Sequence, residues 1–322
     1  MVISPKKRLQ ILTGNYNSKL AGDVAAALGV ELGHVKVERF ANGEIRCQLG
    51  ESVRGADVFV FQTHDRPVND AIMEQAIIID AAKRASARRI TAVCPFFGYA
   101  RQDRKSAGRE PITAKLVVDI LAVSGADRIV SVDLHSGQIQ GFFDGPFDHL
   151  TAMPVLLDHI RENMGLDIVI VSPDAGRVKL SERYTQQLAG SELAIIHKTR
   201  SRKVANSVEA LAVIGDVAGK RCVLIDDMID TAGTIVAAAE MLKKHGAAEV
   251  HVLATHGLFS DPATERLQAK SVDSVVVTDT LPKSIKLAKL KTLTLAPLMA
   301  AAVKAIFNDE SVSHIFGGEN QM

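Results

Sequence analysis

Residues 222–234, C-V-L-I-D-D-M-I-D-T-A-G-T, combine carboxylates, hydroxyls and small residues at a spacing that suits one kind of ligand. The apolar run Val223–Ile225 ends in Asp226 and Asp227. A short loop follows (Asp230, Thr231, Ala232, Gly233, Thr234), then a helical pattern from about Ile235. A short β-branched run of this kind reads as a buried parallel strand. Open α/β sheets bind ligands beyond the carboxyl ends of their strands. A turn of small residues opening a helix there presents free backbone N–H groups to a phosphate. Acids beside a phosphate nest repel it unless a sugar lies between them. Carboxylates accept hydrogen bonds, so they suit the vicinal hydroxyls of a ribose whose 5-phosphate occupies the nest. The chemistry indicated is recognition of a ribose 5-phosphate unit.

The segment resembles the phosphoribosyl-binding signature of the phosphoribosyltransferase fold. Five further clusters bear on what such a site would do. V-S-P-D-A-G-R at 171–177 is another strand end with a turn of small residues; Asp174 could hold a metal, and the backbone at Ala175 and Gly176 could approach a phosphate chain. I-V-S-V-D-L-H-S at 129–136 places Asp133 and His135 at a strand end, where a histidine two residues after an acid suits metal contact. H-K-T-R-S-R-K at 197–203 crowds Lys198, Arg200, Arg202 and Lys203 into one loop. Such a cationic lid suits a reaction that moves phosphates, which needs positive charge and exclusion of water. F-F-G-Y-A-R-Q-D-R-K-S-A-G-R-E-P at 96–111 carries Arg101 and Gln102 just after aromatics, an anchored position, ahead of a mobile-looking Lys105–Gly108 stretch. R-F-A-N-G-E-I at 39–45 signals an Asn-Gly hairpin. Neither G-x-x-x-x-G-K-[ST] nor G-x-G-x-x-G occurs, so any ATP is bound outside those nucleotide loops.

The elements that position these residues alternate. Strand-like runs at Val58–Phe61, Ile90–Cys94 and Ile129–Val132 are followed by Ile168–Val171, Leu193–Ile196, Cys222–Ile225, Val250–Ala254 and Val275–Val277, with helical patterns between. This predicts an α/β architecture of parallel sheets. Residues 58–97 and 222–259 repeat one strand-loop-helix-strand plan, but the first loop, T-H-D-R-P-V-N-D, lacks the acid pair and the T-x-G-T turn. Two domains of one fold, 1–152 and 153–322, with the sugar site kept only in the second, account for the repeat. A chain of 322 residues is long enough for two cores.

A charge of +1 supplies no global field to recruit nucleic acid or membrane, so any anion site must be local. No apolar run is long enough to span a bilayer, since Lys304 and Pro297 interrupt residues 293–307. Lys6, Lys7 and Arg8 are not followed by a signal-peptide core, which Gly14, Asn15, Asn17 and Lys19 break. Cys47, Cys94 and Cys222 form neither a metal pattern nor a disulfide framework, and are expected as buried thiols in a reducing cytoplasm.

Taken together, F-A-N-G-E-I, F-F-G-Y-A-R-Q-D-R-K, V-D-L-H, V-S-P-D-A-G-R, H-K-T-R and V-L-I-D-D-M-I-D-T-A-G-T resemble the ribose-phosphate pyrophosphokinase family, in order over residues 8–317. The resemblance implies two tandem phosphoribosyltransferase-type domains, each a mainly parallel sheet flanked by helices. It implies transfer of the β,γ-diphosphoryl group of ATP to the 1-hydroxyl of ribose 5-phosphate, with Mg²⁺, in a homohexamer. Carried onto this sequence, it makes Lys198 and Arg200 catalytic. Arg200, Asp226, Asp227, Asp230, Thr231, Ala232, Gly233 and Thr234 would hold ribose 5-phosphate. Asp174, Ala175, Gly176 and Arg177 form a pyrophosphate loop, His135 and Asp174 organise the metal, and Asn42, Gly43, Glu44, Arg101 and Gln102 bind ATP. Of these, Asn42 and Glu44 would reach a neighbouring subunit's site. Ser52, Arg54, Arg109, Ser311, Ser313 and Phe316 match an interface site where phosphate activates and ADP inhibits. Two positions depart from the family pattern: Arg177, where a second glycine is usual, either adds a phosphate contact or crowds the loop, and Ala232 stands where Gly or Cys is common. A phosphoribosyltransferase would share only Asp226–Thr234 and would need no H-K-T-R, V-D-L-H and R-Q together.

Overall fold

The apolar runs form parallel strands because their side chains are covered on both faces, as in Asp57–Phe61 and Ile168–Ser172, where every residue is buried. The computed structural model describes residues 7–199, 210–282 and 285–316. They divide into two compact units, Met1–Thr151 with Thr280–Pro282 and Thr294–Met322, and Ala152–Asp279 with Lys283–Leu293.

The first unit runs β1 (Leu9–Thr13), α1 (Ser18–Ala27), the hairpin β2 (Val35–Arg39) and β3 (Ile45–Leu49), β4 (Asp57–Phe61), α2 (Val68–Arg84), β5 (Arg89–Cys94), α3 (Thr113–Ser124), β6 (Arg128–Val132) and β7 (Phe147–Leu150). Its sheet has the order β1-β4-β5-β6-β7, all pairs parallel. The Asn-Gly segment turns the antiparallel β2/β3 hairpin, as its sequence predicts, with Gly43 at φ 92.

The second unit runs α4 (Met153–Asn163), β8 (Ile168–Ser172), α5 (Val178–Gln187), β9 (Glu192–Thr199), β10 (Ala210–Ile214), β11 (Arg221–Ile229), α6 (Gly233–Lys244), β12 (Glu249–Gly257), α7 (Ala263–Arg266), β13 (Ser274–Thr278) and β14 (Leu290–Leu293). The sheet order is β10-β9-β8-β11-β12-β13-β14, parallel except for the antiparallel β9/β10 edge pair. Both units have their own buried apolar core.

The last helix, α8 (Ala296–Asn308), sets a boundary that differs from the expected 153–322 domain, because residues from Thr294 group with the first unit. Its apolar face packs toward α1. Beyond it, Asp309 accepts from Arg89 Nη1 at 2.8 Å, while Arg89 Nη2 reaches Asp57 Oδ2 and the Ile306 carbonyl, each at 2.8 Å. An arginine on a first-unit strand thus ties down the end of the closing helix.

The repeated strand-loop-helix-strand unit is present twice, as β4-α2-β5 and β11-α6-β12. In the first copy the loop is closed by the core. His64 is fully buried; its Nδ1 accepts from Gly98 N at 2.9 Å and its Nε2 lies 2.8 Å from Gln75 Oε1. Burial pushes its pKa down to about 4, so the ring is neutral. Cys94 and Cys222 are buried as expected, but Cys47 on the hairpin is only half-buried, since a two-stranded ribbon covers one face.

Phe59, in the middle of β4, is one of the largest fully buried side chains among the described residues. Phe59→Ala is expected to cost about 3–5 kcal/mol, read as a lowered urea midpoint for the first unit.

Candidate active site

Two neighbouring strands of unequal reach create the site. β11 pairs with β8 only as far as Leu224 opposite Val171, yet stays paired with β12 through Asp226 opposite Ala254 and Ile229 opposite Gly257. Asp226 and Asp227 therefore lie inside β11, not after it as the apolar run suggests, and on the β8 side they stand beyond their neighbour's end. The Asp174–Arg177 turn follows that end. Asp174, extended at φ −161, accepts from Gly176 N at 2.8 Å and caps the single turn of 3-10 helix at Ala175–Arg177. Arg177 then reaches the acids, with Nε 3.0 Å from Asp226 Oδ1 and Nη2 2.7 Å from Asp227 Oδ1.

Electrostatics at the pair are unbalanced. Asp227 is 5% exposed, and Asp226 Oδ1 also accepts the Asp227 backbone N–H at 2.8 Å. Burial raises the Asp226 pKa well above the ordinary carboxylate range; the Asp227 charge and hydrogen bonding to it raise it further, and Arg177 opposes them. One guanidinium faces two carboxylates, so the ligand-free pair favours holding a proton.

On the other side, Ala232 turns the chain at φ 59 and α6 starts at Gly233, two residues earlier than its sequence pattern suggests. No side chain caps this helix, and Thr231 and Thr234 are exposed. First-turn N–H groups and hydroxyls are thus presented together. Alanine in the left-handed region carries strain of about 1–2 kcal/mol that glycine would not. Arg266 of α7, absent from the sequence reading, donates from Nη1 to the Thr231 carbonyl at 3.0 Å. No motif signals this arginine, because the contact spans 35 residues and depends on where α7 packs.

Elsewhere in the first unit, Asp133 ends β6 with φ 35, a strained value for a non-glycine residue, and His135 beside it is half-buried. Asn42, Gly43 and Glu44 form the exposed hairpin tip, where Asn42 Oδ1 accepts from Glu44 N at 3.2 Å. Gln102 is anchored, its Oε1 accepting from Thr113 at 2.6 Å, and Arg101 beside it is exposed. Glu110 accepts from the amides of Ser106 and Ala107 at 2.7 and 2.9 Å, which ties the segment expected to be loose. The Arg8 guanidinium donates to the carbonyls of Ser52 and Arg54, and Lys7 next to it donates to the Phe307 carbonyl and Asp309. These two adjacent cations link the 52–54 loop to the chain that leads into Ser311, Ser313 and Phe316. Arg109 adopts φ 67 in an exposed turn. In the second unit, Lys198 lies in β9 opposite Leu211, and Arg200, Arg202 and Lys203 lie outside the described residues.

Residues 9–125 match the model of the N-terminal domain of ribose phosphate pyrophosphokinase, and residues 198–317 match that of the phosphoribosyl synthetase-associated domain. Over 98% of its length the chain is 54% identical to the ribose-phosphate pyrophosphokinase of Corynebacterium glutamicum, covering 97% of that protein. It is also 54% identical to that of Bifidobacterium longum, over 97% of this chain and 93% of the relative. The chain belongs to the ribose-phosphate pyrophosphokinase family. A crystal structure of phosphoribosylpyrophosphate synthetase from Mycobacterium smegmatis matches with a TM-score of 0.89 at 50% identity, over 94% of this chain and all of that one (100%). As a pyrophosphokinase of this family the protein is a diphosphate-transferring enzyme with two phosphoribosyltransferase-type domains. No helix among its described residues is long and apolar enough to cross a membrane.

Among the described residues, no three His, Cys, Asp or Glu side chains converge as a metal cage. Mg²⁺ commonly takes one or two carboxylates and completes its shell with water and substrate phosphates. The half-buried Asp174 carboxylate is the hard oxygen donor this requires. The His135 imidazole suits such an ion less well.

The raised pKa of Asp226 is expected to make the stability of the ligand-free protein depend on pH. The folded pKa of Asp226 lies above its unfolded value, so the folded chain keeps a proton that the unfolded chain has lost. Stability contributed at this position is therefore lost as pH rises above the ordinary carboxylate range. Between about pH 5 and 8 the ligand-free melting temperature is expected to fall more steeply for the wild type than for Asp226→Asn, measured by calorimetry.

Proposed function

We propose that the enzyme transfers the β,γ-diphosphoryl group of ATP to the 1-hydroxyl of ribose 5-phosphate, releasing AMP and 5-phosphoribosyl 1-diphosphate for nucleotide biosynthesis. The observation that carries this reading is the strand end at which two carboxylates stand beside an uncapped helix N-terminus. Asp226 and Asp227 accept from the sugar's vicinal hydroxyls. The backbone at Asp230 and the Thr231–Thr234 nest take the 5-phosphate, with Arg266 holding the Thr231 carbonyl that shapes the loop. A sugar bound at both ends presents its 1-hydroxyl in one orientation, and transfer of this kind needs alignment more than covalent help.

The backbone of Asp174–Arg177 receives the diphosphate, while Asn42, Gly43, Glu44, Arg101 and Gln102 take the rest of ATP. The exposure of the hairpin tip supports contact by Asn42 and Glu44 with a neighbouring subunit of a homohexamer. Bound Mg²⁺, held through Asp174 with His135, would offset charge on the triphosphate. Lys198 and Arg200 stabilise the charge that develops between the departing AMP and the incoming oxygen. Phosphate and ADP act as effectors at Ser52, Arg54, Arg109, Ser311, Ser313 and Phe316, a reading supported by the Lys7–Arg8 link between two of these segments. Three unpaired thiols support a cytoplasmic location.

The test is AMP release from Mg²⁺ and ATP, with and without ribose 5-phosphate, alongside the mass in solution. AMP that appears only with the sugar is the expected result; none at all overturns the assignment. Lys198→Ala should keep the fold and ATP binding while kcat falls about 10²–10³-fold, and near-normal turnover would remove the lysine from the mechanism.

A further inference from the structure

Arg177 stands in the loop assigned to the diphosphate, yet its guanidinium is committed to the sugar acids. Its side chain is 19% exposed and bridges Asp226 Oδ1 and Asp227 Oδ1, which belong to side chains 20% and 6% exposed. The contact follows from strand lengths. The β8/β11 pairing ends two residues before Asp226, and the Asp174–Gly176 hydrogen bond bends the chain so that residue 177 lies beside the acids. With glycine at 177, which the family pattern favours, this bridge would be missing.

Two carboxylates that must accept from two hydroxyls of one sugar need a fixed separation and a fixed tilt. Left to themselves they repel, and burial favours protonation, which turns an acceptor into a donor. A planar guanidinium is suited to hold both, because Nε and Nη2 project from one rigid fork. We propose that Arg177 is a positioning residue for ribose 5-phosphate: by bridging Asp226 and Asp227 it sets the two carboxylates for the sugar's vicinal hydroxyls, and its side chain does not serve the diphosphate. The inference rests on the assignment of the acid pair to the sugar. Among the described residues, the charged groups bearing on Asp226 are Asp227 on its own strand and Arg177 on the adjoining turn.

The experiment uses the full-length enzyme with Arg177→Gln, Arg177→Gly and Arg177→Lys, each checked for folding by circular dichroism. Initial rates of AMP release give KM for each substrate and the pH dependence of kcat/KM for ribose 5-phosphate. Arg177→Gln and Arg177→Gly should raise KM for ribose 5-phosphate about tenfold or more, with KM for ATP within about twofold of wild type. Loss of the cation raises the carboxylate pKa, so the acid limb of the profile should move to higher pH in both. Arg177→Lys keeps the charge but not the fork: the limb should return toward wild type while KM for the sugar stays elevated. A rise in KM for ATP alone would overturn the proposal and give the side chain to the diphosphate. Unchanged constants and an unchanged limb in an active wild-type background would overturn it while leaving the sugar-site reading intact. Absence of sugar-dependent AMP from the wild type itself would remove both. If the neutral variants do not fold, Arg177→Lys decides: a raised sugar KM supports the bridge, and a wild-type value ends it.

Discussion

The candidate site depends on a mismatch of strand lengths. Where β8 stops and β11 continues, the sheet leaves Asp226 and Asp227 paired with β12 on one side and open on the other. An α/β sheet ordinarily closes such a gap with apolar side chains. Here the next residues after β8 form a tight polar turn, and a single arginine fills the opening. The remaining features answer to this arrangement: the proton affinity of Asp226, the orientation of its partner and the exposed nest at the start of α6. Among the described residues, one guanidinium faces two carboxylates in this opening.

The two units show how one plan supports chemistry in one copy and packing in the other. After β11 the chain makes a left-handed turn at Ala232 and leaves the helix start uncapped and accessible. After β4 the corresponding loop turns inward. His64 is sealed beneath Gly98 and Gln75, and Gln75 also donates to the carbonyls of Val60 and Val93, while Arg66 of the same loop stays exposed. Buried polar groups that are fully paired rigidify a loop. The first unit then offers its surfaces elsewhere, at the hairpin tip and in the Arg101–Gln102 turn.

Eight non-glycine residues among those described adopt positive φ. Ala232 and Asp133 are two of them, and both stand at strand-end loops. Such conformations persist only where the surroundings hold them. At Ala232 the side chain is buried, and Arg266 grips the carbonyl one residue earlier, so the loop that would cradle the phosphate is held from both sides.

The amino-acid order by itself determined the architecture and most of the chemistry. All eight strands read from β-branched runs are present, because a strand buried on both faces must be apolar throughout and declares itself locally. The strands that escaped, β1, β7, β10 and β14, are the four sheet edges, where one side needs no partner and short or mixed sequences suffice. The acid pair, the T-x-G-T turn and the family motifs were legible because each is contiguous. What only the tertiary structure decided involves residues far apart in the chain. It includes the return of α8 to the first unit, the grip of Arg266 on Thr231, and above all the ion pairs of Arg177, whose partners lie some fifty residues downstream. A side chain's destination depends on where its neighbouring strand ends, and that is set by packing between strands and not by the residues beside it.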